Sequence, residues 1–370
     1  MKTIQRMIYA EVVAKVSFAT MGFVGLFFFF DLADEMKWIG KGPNKGYAFE
    51  HAATYVLLMV PSHVYELLPI TVLIGTIFVM SKFAQSSEFT ILRTSGMGPG
   101  LALRNLLGLG LAFVVLTFVV GDYLAPPSSR VGQLLRTRHL GVAYTQGVTG
   151  AWLKETQPQG HSVVNVGSLN PQSEMGQVRI FEFDDSGRLN SMLRADKAVF
   201  ETTASGWLLK NVSADYFNAT QSTLAPLRRE QISSMHWSTE MTEEMVSVAL
   251  LKPERMATLD LFRYIRHLSV NNQSSQRYEI EFWKKIFYPL SCLVMVMLAL
   301  PFAYLHLRST PITSVVFLGI LIGISFFLMN NVFGHIGNLN AWSPWLAAAT
   351  PGMVYMMVSL LAFGWLVLRH

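Results

Sequence analysis

The sequence holds the residue types that carry enzyme chemistry, but they do not form a known catalytic pattern. It lacks a Gly-x-x-x-x-Gly-Lys-Ser/Thr phosphate loop, and Gly40-Lys41-Gly42-Pro43 indicates only a turn. It also lacks a Gly-x-Ser-x-Gly nucleophile elbow and a His-Glu-x-x-His pair. The nine histidines are scattered, and the single cysteine, Cys292, excludes an intrachain disulfide. We therefore expect neither an enzyme nor a chain with its own cofactor or metal.

One ionisable pair stands inside an apolar segment. His63 and Glu66 are three residues apart, which places them on one helix face. Ionisable residues within a membrane segment are candidates for function. Because this pair lies between Pro61 and Pro69, a structural polar pair is favoured over an acid/base pair.

The composition points to a membrane protein with a polar insert. Of 370 residues, 51% are hydrophobic and 14% are charged, against about 25% charged in soluble domains. The apolar residues concentrate at both ends, so the polar middle over 125–276 needs a core of its own. The net charge of +5 is mild, and no basic stripe alternates with stacking aromatics, which argues against nucleic-acid binding.

Six apolar segments are long enough to cross a hydrocarbon core, which takes about 20 residues. They run over 12–31, 55–83, 101–124, 282–305, 312–333 and 345–368. The first is interpreted as a retained signal anchor, and the third is predicted to stop at Ala125-Pro126-Pro127. The predicted domains are 1–124, 125–276 and 277–370.

The basic residues give the orientation. Lys2, Arg6 and Lys15 flank the N-terminus, and Lys82, Arg93 and Arg104 flank the loop between spans two and three. The positive-inside rule places these positions, and therefore both termini, in the cytoplasm. The polar middle is then extracytoplasmic.

Several cations stand on the outer side, against that rule. They are Lys37, Lys41, Lys45, Arg277, Lys284 and Lys285. Local pairing is one explanation, since Glu281 precedes Lys284 and Lys285 by three and four residues, and Asp34 and Glu35 precede Lys37. The other explanation is a site for an anionic lipid head group.

The polar middle carries strand signals and one helix signal. Residues 178–183, 197–201 and 207–212 are β-type runs closed by turns such as Asp184-Asp185-Ser186-Gly187. They predict an all-β sandwich or jelly roll with Trp207 in its core. Residues 260–268 predict a short helix, and 271–275 predict a break before the fourth span.

The loop between spans two and three predicts a short amphipathic helix over about 84–97. Ser87 is a suitable N-cap, Glu88 follows in the first turn, and Gly96 is a suitable stop. Phe89 and Leu92 lie three residues apart on one side, so the helix could dock into a partner. A helix resting on lipid is the alternative, against which Glu88 argues because anionic lipids repel it.

At this loop the sequence resembles the LptF/LptG permease family. The matching stretches are Val60-Pro61, Leu68-Pro69, 84–88, Thr94-Ser95-Gly96, 274–278 and 282–291, in order along nearly the whole chain. The resemblance implies a bacterial inner-membrane subunit that forms a heterodimer with LptF and also associates with LptC. It implies that an LptB ATPase dimer binds ATP and Mg, so that this chain needs no cofactor.

The resemblance also implies residue roles. Lipopolysaccharide would leave the outer leaflet of the inner membrane and pass to a periplasmic jelly roll on its way to the outer membrane. Glu88 matches the acidic coupling position, and Phe89, Leu92 and Arg93 complete the predicted ATPase contact. The predicted head-group ligands are Lys37, Lys41, Lys45, His63, Arg136, Lys284 and Lys285.

Two alternatives belong to other classes. A mechanotransmission subunit of an ABC transporter usually has four spans, with its large domain after the first, which does not fit three spans on each side. An intramembrane enzyme would use His63 and Glu66, but the sequence offers no nucleophile motif.

Overall fold

The computed structural model describes residues 2–41, 46–86, 99–140, 150–157, 160–169, 174–201, 206–217, 228–242, 245–246, 253–271, 273–304 and 311–369. The chain divides into two units. The first comprises Met1–Glu35, Val56–Ser129 and Glu279–His370, and the second comprises Met36–Tyr55 and Arg130–Tyr278.

The six predicted spans are confirmed as helices long and apolar enough to cross a membrane, within the described residues. α1 is Lys2–Glu35, and α2 is Phe49–Gln85 with Pro61 and Pro69 inside it. The third span contains α3, Pro99–Val119, and α4, Ala125–Leu140. α6 is Gln276–Ala299, α7 is Ile312–Leu339 and α8 is Pro344–Arg369.

The core of the first unit forms around α2 and α6. Leu73 and Ile77 of α2 and Cys292 and Met295 of α6 are fully buried, and Val16 of α1 packs with them. Gly75 allows α1 to approach α2 closely, because a Cβ there would lie 2.7 Å from the backbone nitrogen of Val16. Other apolar side chains stay exposed on the outward faces of the bundle, as a lipid-facing or partner-facing surface requires. They include Phe18, Phe29, Leu321, Leu328, Met357 and Leu361.

The third span does not stop at the prolines, so that prediction was wrong. A π-helical turn over Val120–Leu124 follows α3, and α4 then begins at Ala125. Pro126 and Pro127 fall in the first turn of α4, where their fixed φ fits a helix. The helical course therefore continues through the prolines to Leu140.

The second unit contains one six-stranded antiparallel sheet in consecutive order. Its strands are β1 Ala151–Gln157, β2 Gly160–Leu169, β3 Glu174–Phe183, β4 Leu189–Glu201, β5 Gly206–Tyr216 and β6 Arg228–Ser238. The three predicted β-type runs lie in β3, β4 and β5, and the turn after β3 closes with a bond from the Gly187 amide to the Asp184 carbonyl. Trp207 is fully buried, as predicted, and its indole N–H donates to the Met241 carbonyl at 2.8 Å.

The two outer strands of this sheet approach each other at one end. The carboxylate of Glu155 in β1 accepts from the Thr239 hydroxyl at 2.6 Å and from the Glu240 amide at 2.7 Å, just beyond β6. The predicted short helix is confirmed as α5, Thr258–Val270, and the Asn271 side chain after it accepts from the Thr156 amide of β1. A jelly roll needs connections that skip neighbouring strands. The consecutive order of the described strands does not confirm one.

Candidate functional site

Two of the predicted head-group cations meet on one aromatic ring in the second unit. The Lys41 Nζ lies 4.8 Å from the centre of the Trp38 ring, and the Arg136 guanidinium carbon lies 5.2 Å from it. Arg136 also lies 5.4 Å from the ring of Tyr55. We call these four residues, Trp38, Lys41, Tyr55 and Arg136, the Trp38 cluster.

A tight turn after α1 sets Lys41 over the ring. Residues Met36–Trp38 form one turn of 3-10 helix, and the Lys41 amide donates to the Trp38 carbonyl at 3.1 Å. Gly40 has a φ of +76°, a conformation that glycine adopts without strain, and its amide donates to the Tyr47 carbonyl. The three-residue spacing and this turn together fold the Lys41 side chain back over Trp38.

The helices α2 and α4 supply the other half of the cluster. Tyr55 stands in α2 and Arg136 in α4, and nearby the rings of His51 and His139 stack with centroids 3.9 Å apart. The His51 Nδ1 accepts from the Ala48 amide just before α2, so the stack also helps to define the start of that helix. In the first unit the same two helices meet through the hydroxyls of Ser62 and Ser129, which are 2.8 Å apart.

The Trp38 cluster contains two cations, Lys41 and Arg136. Lys41 is exposed and Arg136 is half-buried, and Lys37, which precedes Trp38 in sequence, is also exposed. An aromatic face attracts a cation through its quadrupole and leaves the charge in place, whereas a carboxylate cancels it. The cluster can therefore bind phosphate or carboxylate groups. Lys45, which follows in sequence, lies outside the described residues.

The remaining predicted cations belong to the first unit and have other contacts. The Lys284 Nζ donates to Glu281 at 2.7 Å, and both side chains are 15% exposed, so the predicted pairing is confirmed for Lys284. Lys285 is buried, and its Nζ donates to the Gly121 carbonyl at 3.1 Å. It also lies 5.6 Å from the ring of Tyr65.

His63 pairs with a residue that the sequence did not indicate. Its Nε2 lies 2.6 Å from an Asp31 carboxylate oxygen, and its ring lies 5.3 Å from that of Phe27. The prediction that His63 pairs with Glu66 was therefore wrong. Asp31 belongs to α1, and the spacing of residues along α2 gives no information about a partner on another helix.

The predicted ATPase-coupling residues Glu88, Phe89, Leu92 and Arg93 lie outside the described residues, as does the rest of 87–98. α2 ends at Gln85 and α3 begins at Pro99, so the two helices bracket this segment. Among the described residues, no group of three or more His, Cys, Asp or Glu side chains is arranged to hold a metal ion.

The sequence interpretation missed the aromatic members of the Trp38 cluster. Trp38 stands three residues before Lys41, a spacing that brings side chains together in a helical turn. That signal was available in the sequence. The participation of Tyr55 was not, because it depends on the packing of α2 near α4.

Comparison with known proteins extends along nearly the whole chain. The profile of a family described as the lipopolysaccharide export system permease LptF/LptG matches residues 6–368. The chain is 28% identical over 338 residues to the lipopolysaccharide export system permease protein LptG of Escherichia coli K12, covering 91% of this chain and 89% of that protein. It is 25% identical over 364 residues to LptG of Haemophilus influenzae, covering 96% of each. The described residues include six helices long and apolar enough to cross a membrane and a separate antiparallel sheet, and the chain belongs to the LptF/LptG family of lipopolysaccharide export system permeases.

Proposed function

We propose that this chain is an inner-membrane subunit that takes lipopolysaccharide from the outer leaflet and passes it toward the outer membrane. The observation that carries the proposal is the meeting of Lys41 and Arg136 on Trp38. Lipopolysaccharide bears phosphates, and a guanidinium binds phosphate through paired hydrogen bonds while an ammonium acts as a point charge. The Trp38 cluster holds both kinds of cation in one place.

The proposed orientation follows from the basic residues. Both termini lie in the cytoplasm, and the β domain lies in the periplasm, where it receives the lipid as part of a bridge. Lys41, the exposed cation of the cluster, follows α1, at the end of that span opposite the N-terminus. It would therefore stand at the outer interface, where the head groups of the outer leaflet lie.

The energy source in this proposal is external. The sequence has no phosphate loop, and the chain works with LptF as a heterodimer, with LptC, and with an LptB ATPase dimer that binds ATP and Mg. The segment with Glu88, Phe89, Leu92 and Arg93 would dock on the ATPase. Glu88→Ala should reduce the amount of LptB that co-purifies with the complex, and an unchanged amount would count against this docking role.

Charge reversal tests the head-group site. Lys41→Glu and Arg136→Glu should each reduce the lipopolysaccharide that co-purifies with the complex. Each substitution leaves one cation at the Trp38 ring and adds a carboxylate that repels phosphate. Lys210→Glu is the matched control, since Lys210 is exposed on β5 and far from the cluster in sequence. Equal lipid retention in all three variants would refute the Trp38 cluster as the head-group site.

A further inference from the structure

A carbonyl group in the third span has lost its helical donor. In the π-turn Val120–Leu124, the Ala125 amide donates to the Val120 carbonyl, five residues back. In an α-helix that amide would donate to the Gly121 carbonyl, four residues back. In the π pattern the donor to the Gly121 carbonyl would be the next residue, Pro126. A proline has no amide hydrogen to donate. The Gly121 carbonyl therefore has no donor in either helical pattern.

A lysine from another span supplies the missing hydrogen bond. The Lys285 Nζ of α6 lies 3.1 Å from the Gly121 carbonyl oxygen, and Lys285 is only 8% exposed. Inside a membrane no water can satisfy a backbone carbonyl that lacks a donor, so a donor at this position stabilises the turn.

Aromatic residues enclose this contact. The ring of Tyr65 covers Gly121 so closely that a Cβ on that residue would lie 2.3 Å from it. Tyr65 lies 5.1 Å from Tyr288, whose hydroxyl donates to the Glu66 carbonyl of α2. These contacts join α2, the π-turn and α6.

We propose that Lys285 is a positioning residue, which replaces the amide hydrogen that Pro126 lacks and so holds α4 in register on α2. A π-turn accommodates one extra residue, and each residue of an α-helix turns the chain by about 100°. If the turn relaxes, the side chains at the start of α4 leave their partners. Those contacts are two hydrogen bonds. The Ser128 hydroxyl donates to the Leu58 carbonyl, and the Ser129 hydroxyl is bonded to the Ser62 hydroxyl.

The register can be measured by a disulfide between Ser62→Cys and Ser129→Cys in a Cys292→Ser background, within the complete complex. Lys285→Met should lower the yield of this disulfide about fivefold or more, because it leaves a buried carbonyl without a donor. Lys285→Arg should keep the yield by retaining a donor. Lys284→Met, which removes the neighbouring charge, should also keep it, since Lys284 pairs with Glu281.

A second substitution tests the mechanism itself. Pro126→Ala restores an amide hydrogen that can reach the Gly121 carbonyl in the π pattern. Combined with Lys285→Met, it should return the disulfide yield to that of the parent. This rescue also shows that the Lys285→Met chain folds when its missing hydrogen bond is replaced.

The outcomes separate this role from lipid binding. An unchanged disulfide yield in Lys285→Met, or a loss that Pro126→Ala does not restore, would overturn the positioning role. If lipid retention then also falls, Lys285 acts as a head-group ligand. If the yield falls and is rescued by Pro126→Ala, the positioning role stands whether or not lipid retention changes.

Discussion

Replacing Trp38 by leucine tests whether the ring organises the head-group site. Leucine keeps an apolar side chain and leaves Lys41 and Arg136 intact, so only the aromatic face is lost. Each cation–ring contact at a partly exposed position contributes about 0.5–1 kcal/mol. Two such contacts, at 4.8 Å and 5.2 Å, total about 1–2 kcal/mol. Because 1.4 kcal/mol corresponds to a tenfold change, Trp38→Leu should weaken lipopolysaccharide binding about 5- to 30-fold.

The assay is equilibrium binding of labelled lipopolysaccharide to the purified complex at one fixed salt concentration. Trp38→Phe should lie between the parent and Trp38→Leu, since a phenyl ring attracts cations less strongly than an indole. Trp152→Leu is the control, because Trp152 is another partly exposed tryptophan, on β1. If Trp38→Leu binds within twofold of the parent while Arg136→Ala binds much more weakly, the ring does not hold the cations.

Three predictions concern the β domain, and thermal unfolding of the complex followed by tryptophan fluorescence checks them. Trp207→Phe should destabilise the domain by about 2–4 kcal/mol, because it leaves the Met241 carbonyl without its donor and opens a cavity; Trp152→Phe should cost much less. The hydrogen bond from Arg229 lowers the pKa of Asp215. Stability from this pair is therefore present above about pH 4 and is lost as the pH falls through the lowered pKa, and Arg229→Gln should remove that dependence. Burial lowers the pKa of His267, so the folded domain favours the neutral ring. Stability should then decrease as the pH falls below about 6.5, and His267→Gln should flatten the curve between pH 5 and 7.

The spans and strands could be predicted because their signals are local. A run of about 20 apolar residues has few alternatives to a membrane helix, and the sequence located all six. The same is true of the β-type run in β3, which ends at the Asp184–Gly187 turn. The order of strands is not local, since it depends on which edges pair after the turns. A jelly roll and a consecutive sheet can share the same strand signals.

The contacts of the charged residues could not be predicted, because their partners are distant in sequence. Asp31 precedes His63 by 32 residues, and Gly121 precedes Lys285 by 164. The pairing of Glu281 with Lys284 was predictable, as was the contact of Lys41 with Trp38, because three residues in a helical turn bring two side chains together. The prediction that the third span stops at the prolines was wrong for a related reason. A proline usually ends a helix, but a π-turn before Pro126 changes which carbonyls need a donor.

The predicted head-group cations differ in the kind of group that each one contacts. Lys284 is paired with a carboxylate, which cancels its charge, and Lys285 is committed to a backbone carbonyl inside the bundle. Lys41 and Arg136 lie on an aromatic ring, which attracts a cation without carrying an opposite formal charge. A phosphate would have to displace Glu281 to reach Lys284, whereas Lys41 forms no ion pair with the residues that the structure describes. The proposed site is therefore centred on Lys41 and Arg136, and charge reversal there should affect lipid retention more than charge reversal at Lys284.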